Sequence, residues 1–166
     1  MILFWLLPSV VLAHVFEEFV FPGGFGDWDR AYRKEIAASI TTPFHIFINV
    51  LFIALCFLPF FLNPEYAVAW WICMASILLV NAAFHIQGAF KTRKYSPGMV
   101  TSIVLYVPVA VYGYWFFLSA NQTSLEQALV SSTTGIAYLL VSTQLHKRRA
   151  GKAKNLEHAE PNVPVK

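Results

Sequence analysis

The stretch AVAWWICMASILLVNAAFHIQGAF, at residues 67–90, decides the fold class of this chain. Its 24 residues contain no Asp, Glu, Lys or Arg. As an α-helix the stretch would measure about 36 Å, which exceeds the roughly 30 Å of a bilayer's hydrocarbon core. It is therefore predicted to be a transmembrane helix.

Four further apolar runs accompany this stretch and are expected to be membrane spans. They lie at about residues 2–22, 44–62, 99–118 and 125–145. Only 13% of the 166 residues are charged, against roughly 25% in soluble domains, which argues against a water-soluble fold. The prediction is an all-α, polytopic bundle of about five transmembrane helices, forming a single domain over residues 1–145.

Two segments outside the spans are rich in polar residues. Residues 27–40 place Trp28, Ile36 and Ile40 near one face at helical spacing, which predicts a short interfacial helix after the first span. The tail at residues 146–166 is charged and poor in large apolar residues, and it is predicted to be disordered.

The positive charges predict the orientation of the chain in the membrane. All 12 Lys and Arg residues lie after the first span, after the third span or in the tail. Five spans put these three segments on the same side, which the positive-inside bias assigns to the cytoplasm. The N-terminus is then outside and the C-terminus cytoplasmic. Because topology accounts for the basic charge, no nucleic-acid partner is expected.

Five histidine and glutamate side chains fall inside the first three predicted spans, where burial is costly unless the groups are paired, hydrated or bound to a metal. They are His14, Glu17, Glu18, His45 and His85. On a helix, His14 can share a face with a carboxylate three or four positions later, whereas Glu17 and Glu18 diverge by about 100°. The predicted topology puts all five at similar depth, near the cytoplasmic ends of three helices.

Imidazole and carboxylate groups at one depth predict a metal site. Neutral imidazoles and carboxylates are the usual ligands of zinc and non-haem iron, and helix bundles build such sites from residues three or four apart. All five side chains are candidate ligands. The alternative for each histidine is a hydrogen bond that joins neighbouring helices. That structural role is also expected for two asparagines in the patterns His45-x-x-x-Asn49 and Asn81-x-x-x-His85.

Three sequence elements in this order resemble a known family. They are His14-Val15-Phe16-Glu17-Glu18, the later His85, and Tyr95-Ser96-Pro97-Gly98. Over about residues 12–101 the chain resembles the HXXEE family of small bacterial membrane proteins. The resemblance implies an integral protein of the bacterial inner membrane and a functional role for these positions, but it supplies no activity.

These observations lead to three hypotheses about function. The first is a membrane-embedded hydrolase or oxidoreductase that acts on a lipid-like or prenyl-like substrate. In it, His14, His85 and one or both of Glu17 and Glu18 bind zinc or iron, the remaining carboxylate is the general base, and the Tyr95 hydroxyl is a hydrogen-bond donor. The alternatives are a proton or metal-ion transporter and a non-catalytic membrane subunit. The expected partner is a membrane lipid or lipid-like small molecule, with homodimer formation left open.

Overall fold

The computed structural model describes residues 2–159 and is built from helices. Five of these helices are long and apolar enough to cross a membrane. They are called spans 1 to 5 and comprise Ile2–Phe19, Thr42–Phe61, Pro64–Thr92, Met99–Ser119 and Leu125–Ala153. The predicted all-α architecture with about five spans is confirmed.

Two of the spans change helix type near a proline. Span 2 is an α-helix over Thr42–Cys56 and a 3₁₀-helix over Leu58–Phe61, which contains Pro59. Span 4 includes a π-helical turn over Ser102–Tyr106, directly before Pro108. Proline has no backbone N–H and its ring clashes with the carbonyl four residues earlier, so a regular α-helix is disturbed at both places.

The polar segment after span 1 forms two short helices instead of one. An α-helix covers Phe25–Tyr32 and a 3₁₀-helix covers Lys34–Ser39. Trp28, Ile36 and Ile40 are buried, so the face identified from the sequence does pack inward.

Span 3 lies at the centre of the bundle and packs against spans 1, 4 and 5 and against the 3₁₀-helix of span 2. Its Trp71 is fully buried, and the indole N–H donates to the carbonyl oxygen of Leu3 at 3.0 Å. Two glycines allow close approach to this helix. A Cβ atom at Gly113 would lie 1.9 Å from the Trp71 ring, and one at Gly135 would lie 2.8 Å from the carbonyl oxygen of Ser76.

The tail predicted to be disordered is helical up to the last residue that the structure describes. The helix of span 5 continues to Ala159, so residues 146–159 are helical in the structure where a disordered tail was predicted. Tertiary contacts explain the difference. His146 is buried, with its Nδ1 atom 2.8 Å from the Ser39 hydroxyl, and Ala150 packs in a small apolar cluster with Ile36. The remainder of the predicted tail, residues 160–166, lies outside the described residues.

Side-chain contacts bring the segment after span 1, the start of span 2 and the ends of spans 3 and 5 together at one end of the bundle. The Tyr32 hydroxyl donates to the Gln87 side chain at 3.2 Å, and the Arg149 guanidinium lies 3.7 Å from the centre of the Phe44 ring. This region is called the basic end below. Its assignment to the cytoplasm stays a prediction from the positive-inside bias.

Candidate metal centre

Three of the five predicted ligands converge near the basic end. His14 and Glu18 are one turn apart on span 1, and His85 lies on span 3. Glu18 Oε1 is 3.4 Å from His14 Nε2 and 3.3 Å from His85 Nε2. One ligand atom from each side chain lies within 4.8 Å of the other two, and all three residues are buried. These residues are called the triad below, and they could hold a metal ion.

The two His–Glu distances in the triad fit a small divalent cation. Ligands bound to zinc at about 2.0–2.1 Å in tetrahedral geometry lie about 3.3–3.4 Å apart. Both His–Glu distances match this separation. Among the described residues, neither His14 Nε2 nor His85 Nε2 has a hydrogen-bond partner. A buried polar atom without a partner costs about 1–3 kcal/mol, and a cation would satisfy both nitrogens together.

The other nitrogen of each imidazole is held by a hydroxyl group. His14 Nδ1 lies 2.9 Å from Thr101 Oγ1, and His85 Nδ1 lies 2.9 Å from Ser96 Oγ. Metal-binding histidines usually make such a bond through the nitrogen that does not bind the metal, which fixes the ring orientation. Both hydroxyls belong to the connection between spans 3 and 4 and the first turn of span 4. Neither hydroxyl was predicted from the sequence as a site residue, although Ser96 lies inside the Tyr95–Gly98 motif.

Gly98 covers the triad with backbone atoms. Its φ angle is 97°, which L side chains rarely adopt. A Cβ atom there would lie 2.7 Å from Cε1 of both His14 and His85 and 3.1 Å from Glu18 Cγ. Glycine is therefore required both by the turn and by the close approach. This explains Gly98 in atomic terms, which the sequence alone did not do.

Glu17 is not a member of the triad. Its carboxylate accepts hydrogen bonds from the backbone N–H groups of Gly98 at 3.0 Å, Val100 at 3.1 Å and Thr101 at 2.6 Å, and from the Tyr95 hydroxyl. Burial and the bond to this carboxylate raise the pKa of Tyr95, which keeps the hydroxyl a donor. The structure therefore brings neither Glu17 nor Tyr95 to the triad, and their ligand or catalytic roles stay predictions.

His45 belongs to a second cluster. Its Nε2 atom is 3.8 Å from Asp29 Oδ2, and Arg33 donates to both oxygens of the same carboxylate, with Nε 2.6 Å from Oδ1. Burial raises the pKa of Asp29, but His45 and Arg33 lower it by more, so the net pKa lies below the usual value. The Phe25 ring separates the clusters, with its centre 5.4 Å from the centres of the His45 and His85 rings. The set of Asp29, Arg33 and His45 is called the Asp29 cluster.

The two asparagines do not behave as interhelical hydrogen-bond partners. Asn49 donates to the carbonyl oxygen of His45 in its own helix at 3.0 Å, so the prediction for Asn49 is wrong. Asn81 Oδ1 is buried and has no hydrogen-bond partner within residues 2–159. Neither side chain is part of the triad.

Comparison with known proteins identifies a family but no activity. The model of a family described as "Protein of unknown function with HXXEE motif" matches residues 5–113. The match includes the whole triad and the connection that contains Ser96 and Gly98. No curated protein and no solved structure matches the chain.

Proposed function

The chain belongs to the HXXEE family, and from its own geometry we propose that it is a membrane-embedded, metal-dependent enzyme that acts on a lipid-like substrate. The observation that carries this proposal is the convergence of the Nε2 atoms of His14 and His85, which make no hydrogen bond among the described residues, on the carboxylate of Glu18. Two imidazoles and one carboxylate are a donor set typical of catalytic zinc and non-haem iron.

The number of ligands favours catalysis over a purely structural metal. Structural zinc sites are closed by four protein ligands, whereas catalytic sites have three and keep a position for a reactant. The triad contains three side chains. A divalent cation bound there would supply Lewis-acid chemistry. Zinc would favour hydrolysis and iron would favour oxidation, so the identity of the metal indicates the reaction class.

The surroundings of the triad favour an apolar substrate. The Tyr106 ring packs on His14, with 4.4 Å between the ring centres, and the π-helical turn that contains it borders the site. On the outer side of this turn, Val100, Ile103 and Val104 are exposed apolar residues in a membrane span. A lipid-like or prenyl-like molecule in the bilayer would therefore meet an apolar surface directly beside the site. π-Helical turns of this kind often occur at functional sites.

The first test is the metal content of the protein, purified in detergent without chelators and measured by elemental mass spectrometry. We expect stoichiometric zinc or iron in the wild type and its loss in His14→Ala, Glu18→Gln and His85→Ala. The matched control is His146→Ala, which removes another buried histidine at the basic end and should keep the metal. Absence of metal from the folded wild type would reject the proposal.

The second test is turnover of lipid. The metal-loaded protein would be reconstituted in vesicles that contain bacterial phospholipids and a polyprenyl phosphate, and the lipids followed by mass spectrometry over time. A product that forms with the wild type but not with Glu18→Gln supports the enzyme. Unchanged lipids with a metal-loaded protein would reject the proposed substrate class and favour a non-catalytic or transport role.

A proton or metal-ion carrier is the second candidate, and polar contacts deeper in the bundle favour it. The Thr134 hydroxyl donates to Cys73 Sγ at 3.2 Å, and the hydroxyls of Tyr114 and Ser132 are 2.6 Å apart. These groups lie on spans 3, 4 and 5, farther from the basic end than the triad. Polar groups inside a membrane commonly mark ion pathways. Zinc or proton flux into vesicles, abolished by Glu18→Gln, would favour the carrier over the enzyme.

A further inference from the structure

We propose that the two adjacent glutamates have different roles, and that Glu17 is a positioning residue for the triad. It would act through residues 95–101, called the YSPG loop below, and not by binding the metal. This inference rests on the proposed metal centre, because the side chains that it positions are the candidate ligands His14 and His85.

Glu17 attaches the YSPG loop to span 1. Glu17 accepts hydrogen bonds from the N–H groups of Gly98, Val100 and Thr101 and from the Tyr95 hydroxyl. The first N–H groups of a helix have no partners within the helix, and a carboxylate is a favourable acceptor for them. Glu17 therefore caps span 4 from a neighbouring helix, and its contacts reach from one end of the loop to the other.

The YSPG loop contacts both imidazoles of the triad through hydroxyl groups. Thr101 connects the two directly, because its N–H donates to Glu17 Oε2 at 2.6 Å and its Oγ1 lies 2.9 Å from His14 Nδ1. Ser96, in the same loop, has its Oγ 2.9 Å from His85 Nδ1. Glu17 thus bonds the backbone of Thr101, whose hydroxyl orients His14. Its bonds to Tyr95 and Gly98 lie on either side of Ser96, whose hydroxyl orients His85.

The hydrogen bonds of the Thr101 hydroxyl bear on the tautomer of His14. The Thr101 hydroxyl has one proton, which it donates to the carbonyl oxygen of Gly98 at 3.2 Å. In that arrangement the hydroxyl oxygen accepts a hydrogen bond from His14 Nδ1, which places the proton of a neutral imidazole on that nitrogen. The lone pair is left on Nε2, the atom that faces Glu18. A neutral imidazole with a free Nε2 is the form that binds metal ions.

The consequence is a measurable dependence of metal affinity on a residue that does not contact the metal. Loss of an outer partner of a metal ligand typically costs about 10–100-fold in affinity. Glu17→Gln keeps the size of the side chain but removes its charge and one acceptor oxygen. It should weaken zinc binding by this factor while the three ligands remain present.

The experiment measures the zinc affinity of the full-length apoprotein in lipid nanodiscs, by competition with a chromophoric chelator. We expect about 10–100-fold weaker binding for Glu17→Gln, with the wild-type stoichiometry at saturation, and no saturable binding for Glu18→Gln. Cobalt in place of zinc should give a shifted absorption band in Glu17→Gln, since the histidine orientation changes. Glu65→Gln, the same change at an exposed position outside the site, is the control and should bind as the wild type does.

Two substitutions at Thr101 test the same connection from Glu17 through Thr101 to His14. They remain informative even if Glu17→Gln does not fold. Thr101→Val removes the hydroxyl and should weaken zinc binding, whereas Thr101→Ser keeps it and should preserve the affinity. Wild-type affinity in both folded Glu17→Gln and Thr101→Val would overturn the inference and leave the metal centre intact. No zinc binding by the wild type would instead overturn the metal centre itself.

Discussion

Two buried clusters of histidine and carboxylate lie beside the Phe25 ring, and they differ in the positive charge available to the carboxylate. In the Asp29 cluster, Arg33 forms a two-point ion pair with the carboxylate, and His45 lies nearby. In the triad, the ion-pair partners of Glu18 within residues 2–159 are two imidazoles. A histidine carries a positive charge only when it is protonated, whereas an arginine always carries one.

This difference in positive charge distinguishes a structural ion pair, the Asp29 cluster, from a candidate set of metal ligands, the triad. A buried carboxylate is costly unless it is paired and hydrogen-bonded. Arginine meets this requirement for Asp29 with a permanent charge, so a metal ion would have to compete with it. The triad has the ligand atoms but no arginine, and a bound divalent cation would supply the missing charge. Sharing a histidine and a carboxylate is therefore not sufficient to make a metal site.

The largest effect is expected from Arg33→Met, which removes the positive charge of the Asp29 cluster. The Asp29 carboxylate would stay buried without its main partner, and breaking a buried ion pair typically costs about 3–5 kcal/mol. Unfolding in detergent, followed by circular dichroism during titration with dodecyl sulfate, measures this loss. The metal content should not change, because Arg33 does not contact the triad.

The control for Arg33→Met is Arg148→Met, which removes an exposed arginine at the same end of the bundle. It should change the free energy of unfolding very little. Equal effects of the two substitutions would contradict the view that Arg33 compensates a buried charge.

The fold could be predicted largely from the sequence, because bilayer thickness and hydropathy restrict the options. The five spans follow from apolar runs of sufficient length, as residues 67–90 illustrate. The extension of span 5 could not be predicted in this way. Its charged residues are typical of a disordered tail, and the contacts of His146 and Ala150 that keep it helical come from a distant part of the chain.

The part of the candidate site that lies on a single helix could be predicted from the sequence. His14 and Glu18 share a face because they are four positions apart, and topology brought His85 to the same depth. The rotation of span 1 about its axis decides which of the two glutamates lies beside His14 and His85. The sequence does not reveal this rotation. The hydroxyl partners depend on the loop conformation at Gly98, and the pairing of His45 with Asp29 depends on how the short helix after span 1 folds back.

A smaller effect, with a defined dependence on pH, is expected from Asp29→Asn. The pKa of Asp29 is lowered in the folded protein from its reference value of 3.8. The carboxylate therefore contributes stability that is fully present above this value and is lost as the pH falls through the lower, folded-state pKa. At neutral pH, the substitution should reduce the free energy of unfolding by about 1.5–3 kcal/mol, the usual range for hydrogen bonds to charged groups.

Unfolding of Asp29→Asn and of the wild type should be compared at neutral pH and in steps below the reference value. The difference between the two proteins should shrink as the wild-type carboxylate becomes protonated. A difference that stays constant over this range would mean that the charge of Asp29 is not what stabilises the cluster.

The smallest effect is expected from His45→Gln, and it is the sharpest test of whether the two clusters are separate. Arg33 already pairs with both oxygens of Asp29, and His45 Nε2 is 3.8 Å from the nearer oxygen, so its loss should cost on the order of 1 kcal/mol. Metal content and zinc affinity should equal those of the wild type, because the Phe25 ring lies between His45 and His85. If zinc affinity instead fell as it does on loss of a triad ligand, the clusters would act as one site. The charge on Arg33 would then no longer explain why the triad alone could hold a metal ion.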